Sequence, residues 1–172
     1  MTNVLVTGAN RGLGLGFVKH YLGKNVKVVG TTRDLKSSKE LLAIKERFPN
    51  NRVICAWPED AFNEINLDER TAVVTLTHEP NLDDIALKNS LNSKCFYIGA
   101  LGSKKTHKKR IDRFVKDGFD LEVLRRINGP IGLPINAQTP QEIAISIMAE
   151  IISSLRNQKD SIEELRKNWK NR

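Results

Sequence analysis

The chain has 172 residues, 40% of them hydrophobic, and a formal net charge of +8. This length suits one buried core and is short for two, so we expect a single domain over residues 1–172. The positive charge is compatible with a ligand that carries phosphate, although charge alone does not choose among a nucleotide, a nucleic acid and a membrane surface. Because only 6% of the residues are aromatic and no nucleic-acid-binding module is recognisable, we expect no nucleic-acid partner.

Two cysteines and the lengths of the apolar runs bear on where the protein works. Neither Cys55 nor Cys95 has a Cys or His nearby at the spacing of metal ligands, so both are predicted to be core residues in a reduced compartment, and no metal site is predicted. No apolar run approaches the roughly 18 residues that span a bilayer, and the first residues have the pattern of a strand. We therefore expect a cytoplasmic protein without a membrane partner.

Strand-like and helix-like patterns alternate along the chain. Apolar and β-branched runs predict strands over 3–7, 26–31, 52–56, 71–77 and 95–98. Helical spacing of apolar residues predicts helices over about 13–22, 35–48, 82–91, 104–115 and 140–155. Alternation with short links predicts an α/β fold. We expect a doubly wound, Rossmann-like parallel sheet with strand order 3-2-1-4-5 and helices on both faces.

The last long helix carries a start signal and an apolar stripe. Thr139 is the predicted N-cap, Pro140 takes the first helical position, and Glu142 completes a capping box. The stripe that we expect on the sheet comprises Ile143, Ile147, Ile151 and Leu155, beside Ala144, Met148 and Ile152. Residues 156–172 form a charged tail with a helical pattern. We expect this tail to fold back on the domain or to form a homodimer contact.

Three glycines follow the first strand and open the first helix. Without side chains, Gly8, Gly12 and Gly14 let the backbone turn tightly and approach a pyrophosphate, while free amides at the helix start point at its charge. Between them lie Asn10 and Arg11, and Arg11 can reach a phosphate. We predict a dinucleotide site that includes Gly8, Asn10, Arg11, Gly12, Leu13 and Gly14.

The end of the second strand indicates which dinucleotide binds. An acidic residue there contacts the ribose hydroxyls of NAD, whereas an Arg accommodates the 2′-phosphate of NADP. Thr32 takes the acidic position, and Arg33 lies beside it with Asp34 facing the next helix, so NADP is favoured over NAD.

Further ligand contacts are predicted at the ends of the fourth and fifth strands. Thr77 and His78 follow the fourth strand, next to the crevice where open α/β sheets bind ligands. Asp83 and Asp84 are interpreted as acids at a helix start, where the dipole favours them. Gly99 and Ala100 belong to a predicted turn over 99–103. Its amides join the nicotinamide side of the site or hold a pterin phosphate, and the lysines that follow are expected to form a mainly solvated face.

Residues 1–50 resemble the short-chain dehydrogenases and reductases, in particular small NADP-dependent carbonyl reductases. The resemblance rests on Thr7-Gly8-Ala9-Asn10-Arg11-Gly12-Leu13-Gly14 and on Thr32-Arg33-Asp34. It implies NADP binding and hydride transfer by a Tyr and a Lys four positions apart. Here Asn25 follows Tyr21 at that spacing and Leu101 follows Tyr97, so no catalytic residue is assigned and we expect no efficient reduction.

Residues 51–155 resemble the C-terminal Rossmann domain of xanthine dehydrogenase accessory proteins of the XdhC/CoxI type. The resemblance is carried by several separated runs: Arg52-Val-Ile-Cys-Ala-Trp-Pro58, Leu76-Thr-His-Glu-Pro-Asn-Leu-Asp-Asp84, Tyr97-Ile-Gly-Ala-Leu-Gly-Ser103, Gly129-Pro-Ile-Gly-Leu133 and Thr139-Pro-Gln-Glu-Ile143. It implies a role in handling and inserting the molybdenum cofactor.

The two resemblances together suggest a chimera, engineered or recombined, with its boundary near 48–52. In this interpretation the chain binds NADP(H) without efficient catalysis. The alternative is an accessory protein that handles the molybdenum cofactor for xanthine dehydrogenase maturation. A weaker alternative is an NADP-dependent carbonyl reductase that uses another acid, such as His78.

Overall fold

A parallel sheet lies at the centre of the protein. The computed structural model describes residues 3–21, 27–32, 36, 38–47, 52–54, 57–77 and 79–156. Its strands are β1 Asn3–Val6, β2 Lys27–Thr31, β3 Arg52–Ile54, β4 Thr71–Thr75, β5 Tyr97–Ala100 and β6 Ile127–Asn128. Its helices are α1 Gly12–Tyr21, α2 Lys39–Arg47, α3 Pro58–Asn63, α4 Pro80–Leu91, α5 Lys104–Lys116, α6 Leu121–Leu124 and α7 Pro140–Leu155. None of the described helices is both long and apolar enough to cross a bilayer.

The strand order is β3-β2-β1-β4-β5-β6, and every neighbouring pair is parallel. The predicted doubly wound fold and the order 3-2-1-4-5 are therefore confirmed. The sequence did not predict α6 or β6, which pairs Ile127 with Ile98. These elements have four and two residues, too few for hydrophobic periodicity to reveal them.

Successive strand residues point to opposite faces, and each face has its own apolar core. On one face Val4, Val6 and Val74 pack with side chains of α1 and α7, including Phe17 and Ile147. On the other face lies a second cluster, made of Leu5, Val29, Val73 and Ile98 with Ala61, Leu87, Leu91, Phe114 and Leu124. Helices thus cover both faces, as a parallel sheet requires.

The fifth strand is displaced from its prediction, since it covers Tyr97–Ala100 rather than 95–98. Cys95 precedes it and is buried, which confirms that this cysteine is a core residue, whereas Cys55 lies outside the described residues. Burial raises the pKa of the Cys95 thiol. The guanidinium of Arg126 donates to the carbonyl oxygens of Leu91, Ser93 and Cys95, which secures this connection.

The start of α7 confirms the predicted capping box. The Glu142 amide donates to Thr139 Oγ1, and Glu142 Oε2 accepts from the Thr139 amide. The predicted apolar stripe is too wide: Ile147 and Ile151 are buried, but Ile152 and Leu155 are 50% and 41% exposed. Among the described residues, α1, β5 and the segment after β6 contact α7, and they leave the side of the helix that carries Ile152 and Leu155 exposed. Of the predicted tail over 156–172, residues 157–172 lie outside the described residues.

A carboxylate on α7 joins the helix to β5 and to the segment after β6. Glu150 Oε2 accepts a hydrogen bond of 2.5 Å from Tyr97 Oη and one of 2.9 Å from the Gly132 amide. Tyr97 is 2% exposed, and its burial, followed by the adjacent Glu150, raises the pKa of the phenol well above its ordinary range. At neutral pH the hydroxyl is therefore protonated and donates to Glu150.

We predict that Tyr97→Phe lowers the free energy of unfolding by about 1–3 kcal/mol, because a partly buried carboxylate loses a donor. Tyr21→Phe is the matched control, since the hydroxyl of Tyr21 makes no hydrogen bond to another described residue. It should change stability by less than about 0.5 kcal/mol. Urea denaturation followed by circular dichroism measures both, and equal losses would contradict the role given to Glu150.

Candidate ligand-binding site

Polar turns follow three neighbouring strands, and all three turns lie at the same edge of the sheet. Because β1, β4 and β5 are adjacent and parallel, the segments that follow them meet at the carboxyl edge. This is the edge at which open α/β sheets bind ligands. The residues predicted for the site divide among these three turns and the end of β2.

The turn after β1 has the tight geometry that its glycines predict. Gly8 has a φ of +67° and Gly12 a φ of +54°, which is backbone that favours glycine. The Ala9 amide donates to the carbonyl of Thr31 at 3.1 Å and ties the turn to β2. Gly14 lies against this turn so closely that a Cβ there would stand 2.1 Å from the carbonyl oxygen of Gly8. The third glycine is therefore required for packing of α1 on the turn.

The other predicted residues of this turn differ in exposure. Arg11 is exposed directly before α1, and Asn10 is half-buried in the turn that follows β1. Leu13 packs against the core of the adjacent face. No acid lies in the first turn of α1. The amides at the start of this helix therefore face the edge without a competing negative charge.

The residue that follows β2, Thr32, has a buried side chain. Thr32 is 4% exposed, and its Oγ1 lies 3.0 Å from Ser38 Oγ. Its amide donates to the carbonyl of Ile54. Arg33 and Asp34, on which the preference for NADP depended, lie outside the described residues. A contact of Thr32 or Arg33 with a ribose stays a prediction.

After β4, Thr77 is bound to a buried acid. Thr77 Oγ1 donates to Asp83 Oδ1 at 2.6 Å, and the Glu79 amide donates to Thr77 Oγ1 at 3.0 Å. Asp83 is buried in the first turn of α4. Burial raises the pKa of its carboxyl, and the hydrogen bonds from Thr77 and the attraction of Arg110 offset only part of this shift. The predicted contact His78 lies outside the described residues.

After β5 the turn is shorter than predicted. Gly99 and Ala100 are buried in the strand, so the turn covers only Leu101 to Ser103. A Cβ on Gly99 would stand 2.4 Å from Ile131 Cδ1, which shows that this glycine admits the chain that follows β6. The prediction of a turn at Gly99 and Ala100 was wrong because the packing requirement for glycine resembles a turn signal. Ser103 caps α5, since its Oγ accepts from the Thr106 amide at 3.1 Å.

Two polar side chains of α5 point into the protein beneath this turn. Arg110 is 3% exposed and its Nη2 donates to the carbonyl of Leu101 at 3.0 Å, but its Nε and Nη1 have no hydrogen-bond partner in the part of the chain that the structure describes. The Nδ1 of His107 is also buried and has no hydrogen-bond partner among the described residues. It packs closely on Gly129, where a Cβ would stand 2.1 Å from this nitrogen. Burial lowers the pKa of both groups, and the charge of Arg110 lowers that of His107 further.

The sequence did not identify Asp83, His107 or Arg110 as buried polar groups. A signal was present in α5, where positions 107, 110, 111 and 114 recur at helical spacing, and Phe114 at the end of this row is fully buried. The run of lysines around them is typical of a solvated face and hid the inward row.

Comparison with known families decides the relationship of the chain. Residues 13–151 match the family described as the XdhC Rossmann domain. The chain belongs to this family. Among curated relatives, the molybdenum cofactor insertion chaperone PaoD of Escherichia coli (strain K12) is 32% identical over 65% of this chain. A probable xanthine dehydrogenase subunit of Bacillus subtilis (strain 168) is 31% identical over 62% of it. The matches span only 35% and 31% of those relatives, so this chain corresponds to about a third of their length.

Solved structures give the same relationship for the fold. A xanthine dehydrogenase from Bacillus halodurans is 26% identical, with a TM-score of 0.72 over 94% of this chain and 44% of that chain. A short-chain dehydrogenase/reductase from Burkholderia multivorans has a TM-score of 0.58 over 90% of this chain and 91% of that one, at 15% identity. The second likeness shows only a shared Rossmann fold.

We predict opposite effects of one substitution at two glycines of α1. Gly14→Ala should lower the free energy of unfolding by about 2–3 kcal/mol, because the new methyl group meets the Gly8 carbonyl. Gly16→Ala is the control: a Cβ there meets nothing within 4 Å, and the better helix propensity should stabilise by up to about 1 kcal/mol. Thermal and urea denaturation check both, and a Gly14→Ala protein as stable as wild type would refute the close approach.

The raised pKa of Asp83 predicts a pH-dependent effect of Asp83→Asn. A carboxyl whose pKa is higher in the folded than in the unfolded state stabilises below its ordinary pKa, near 4, and loses this contribution as the pH rises through the folded value. The amide keeps an acceptor for Thr77. Asp83→Asn should therefore be more stable than wild type at pH 7 and equally stable at pH 3.

Asp84→Asn is the control for this pH series. It breaks a two-point ion pair with Arg113, at 2.8 and 2.9 Å, and should lower stability at pH 7 by up to about 1 kcal/mol. Stability is measured by urea denaturation across the pH range. If Asp83→Asn is the less stable protein at pH 7, attraction to Arg110 outweighs the burial of the carboxylate.

Proposed function

We propose that this chain is the Rossmann portion of an accessory protein that handles the molybdenum cofactor, and that the cofactor's pterin phosphate binds at the carboxyl edge of the sheet. The match of residues 13–151 to the XdhC Rossmann domain carries the proposal. The name of the Escherichia coli relative, a molybdenum cofactor insertion chaperone, supports the identity of the ligand. In this proposal the cofactor is cargo that the protein receives and passes on.

The residues of the edge fit a phosphate-bearing cargo. Gly8 and Gly12 adopt positive φ values, so the backbone after β1 can approach an anion closely. Arg11 adds an exposed positive charge at the same helix start. A phosphate bound here would receive backbone amides from the helix and a charged hydrogen bond from the arginine.

NADP(H) binding without efficient catalysis is the second candidate. The turn after β1 favours it, because the approach of Gly14 to Gly8 is the packing that dinucleotide-binding turns use. Thr32, however, is buried against Ser38, and the shared fold with dehydrogenases carries no ligand with it. NADP(H) is therefore the alternative ligand of the same edge.

The chimera hypothesis supports this second candidate, because it derives residues 1–50 from an NADP-dependent dehydrogenase. The family match runs from residue 13 to residue 151 and crosses the predicted boundary near 48–52. It accounts for residues 13–50 without a second ancestor, so only residues 1–12 lie outside it on that side. A dehydrogenase origin for residues 1–50 stays a prediction, as do the single domain, the cytoplasmic location and the homodimer.

Carbonyl reduction, the weakest interpretation, receives no support from the described tyrosines. The hydroxyl of Tyr97 is buried and bound to Glu150. Burial raises the pKa of Tyr21 to about 12, so this phenol is a poor acid near neutrality. His78, the other candidate acid, lies outside the described residues.

Titration of the purified chain with molybdopterin and with NADPH tests the proposal. Molybdopterin released anaerobically from a purified molybdoenzyme should bind saturably, as followed by quenching of Trp fluorescence. Arg11→Gln should weaken this binding about tenfold, or about 1.4 kcal/mol, the size of one charged hydrogen bond to phosphate.

Arg156→Gln is the matched control, because Arg156 follows the last turn of α7 and lies at the opposite edge of the sheet, where that helix ends. It should leave the affinity unchanged within about twofold. Saturable binding of NADPH with none of molybdopterin would select the second candidate, and steady NADPH consumption with a carbonyl substrate would select the reductase.

A further inference from the structure

The start of α5 concentrates positive charge that the chain does not neutralise. Lys104, Lys105, Lys108 and Lys109 are all exposed, and none forms an ion pair with another residue that the structure describes. They lie at the end of the helix where the dipole is already positive, and the first turn contains no acid. The spacing of four residues also places Lys104 beside Lys108 and Lys105 beside Lys109 on the helix surface, and the like charges in each pair repel. This arrangement opposes the stability of the helix.

Arg110 adds a buried charge to the same region. It is 97% buried, and a single hydrogen bond from Nη2 to the carbonyl of Leu101 holds the guanidinium directly beneath the turn. Its Nε and Nη1 are buried and find no acceptor among the described residues. A buried donor without an acceptor destabilises the folded protein, so an acceptor supplied by a ligand would remove this penalty.

The neighbouring acids do not supply that acceptor. Asp84 is occupied by Arg113, which donates to both of its oxygens at 2.8 and 2.9 Å. Asp83 attracts Arg110 electrostatically, but its Oδ1 accepts from Thr77, and it forms no ion pair with Arg110. The guanidinium therefore keeps two N–H groups for another partner.

Backbone amide groups at the start of α5 also lie at this turn. Ser103 satisfies two amides of the first turn of α5, with its Oγ for Thr106 and its carbonyl for His107. No acceptor in the described part of the chain takes the amides of Lys104 and Lys105. Unused amides, exposed lysines and a buried arginine thus surround one short turn, over 101–103.

We propose that the β5–α5 turn is a second anion site, which binds an anionic group of the ligand other than the phosphate at the Gly8 turn, between the free amides of α5 and the guanidinium of Arg110. An anion oxygen at the turn can accept from one side of the guanidinium, at Nε or at Nη1, where the described residues supply no acceptor, and the exposed lysines attract the ligand to it. The inference rests on the proposed function only for the identity of the ligand.

The sheet sets the distance between this site and the Gly8 turn. One strand, β4, separates β1 from β5, so the two turns lie roughly 10 Å apart, which is two strand spacings. They can therefore hold two separate anionic groups of one phosphorylated ligand. A ligand that occupies both sites would extend across the carboxyl end of β4, near Thr77 and Asp83.

Inorganic pyrophosphate, added at constant ionic strength, is the probe for this site. In two-dimensional NMR of the full chain, the amides of residues 102–105 should shift saturably. Lys104→Gln combined with Lys105→Gln should weaken this binding by about tenfold or more. Lys116→Gln removes one positive charge from the other end of α5, half of what the pair removes, and should change the affinity less than about twofold.

Arg110→Met separates a binding role from a structural one. Arg110→Met removes two buried donors that lack an acceptor, but it also leaves the carbonyl of Leu101 without its donor and Asp83 without a nearby positive charge. The variant should therefore melt close to the wild-type temperature without pyrophosphate, and pyrophosphate should raise its melting temperature less than that of the wild type. If this variant does not fold, the pyrophosphate affinities of the double lysine variant and of Lys116→Gln test the site without it.

Three results would overturn the second site: no shift at 102–105, shifts confined to residues 8–13, or equal weakening by Lys116→Gln and the lysine pair. A melting temperature of Arg110→Met well below wild type with an undiminished pyrophosphate response would assign the arginine a structural role instead. Because the probe contains no pterin, these results are independent of the molybdopterin titration. Pyrophosphate binding at 102–105 without molybdopterin binding would keep the site and refute the proposed function.

Discussion

Burial of both faces of the parallel sheet determines where this protein can bind a ligand. All five residues of β4 are buried, and their side chains alternate between two apolar cores. Helices occupy both faces, so polar groups that serve a ligand are confined to the ends of the strands. Because β1, β4 and β5 run parallel to one another, the turns that follow them lie at one edge. The chemistry of the molecule is thereby restricted to a few short segments.

Local and periodic features of the fold could be predicted from the sequence. The strand order follows from repeated strand and helix patterns, and the capping box of α7 needs only Thr139 and Glu142 in the right positions. Very short elements such as β6 could not be predicted, because two residues have no period. Gly99 was misread for a related reason: its absent side chain makes room for Ile131, a neighbour that is distant in sequence.

The candidate site was predicted less completely than the fold. The glycines of the first turn were identified because their spacing between a strand and a helix is itself the signal. The buried charges were missed, because burial of Asp83 and Arg110 results from packing between α4, α5 and the ends of two strands. Composition around Arg110 suggests a solvated helix, and only the inward position of Phe114, four residues later, argues otherwise.

The lengths of the outermost strands have a consequence for assembly. β3 has three residues and β6 has two, and they form the two margins of the sheet. Margins this short offer few unpaired amide and carbonyl groups on which the backbone of another molecule could align. Copies of this protein that meet during synthesis are therefore poorly equipped to join sheet to sheet into fibrils. An assembly that uses the described residues would therefore rely on side chains of the surrounding helices more than on strand pairing.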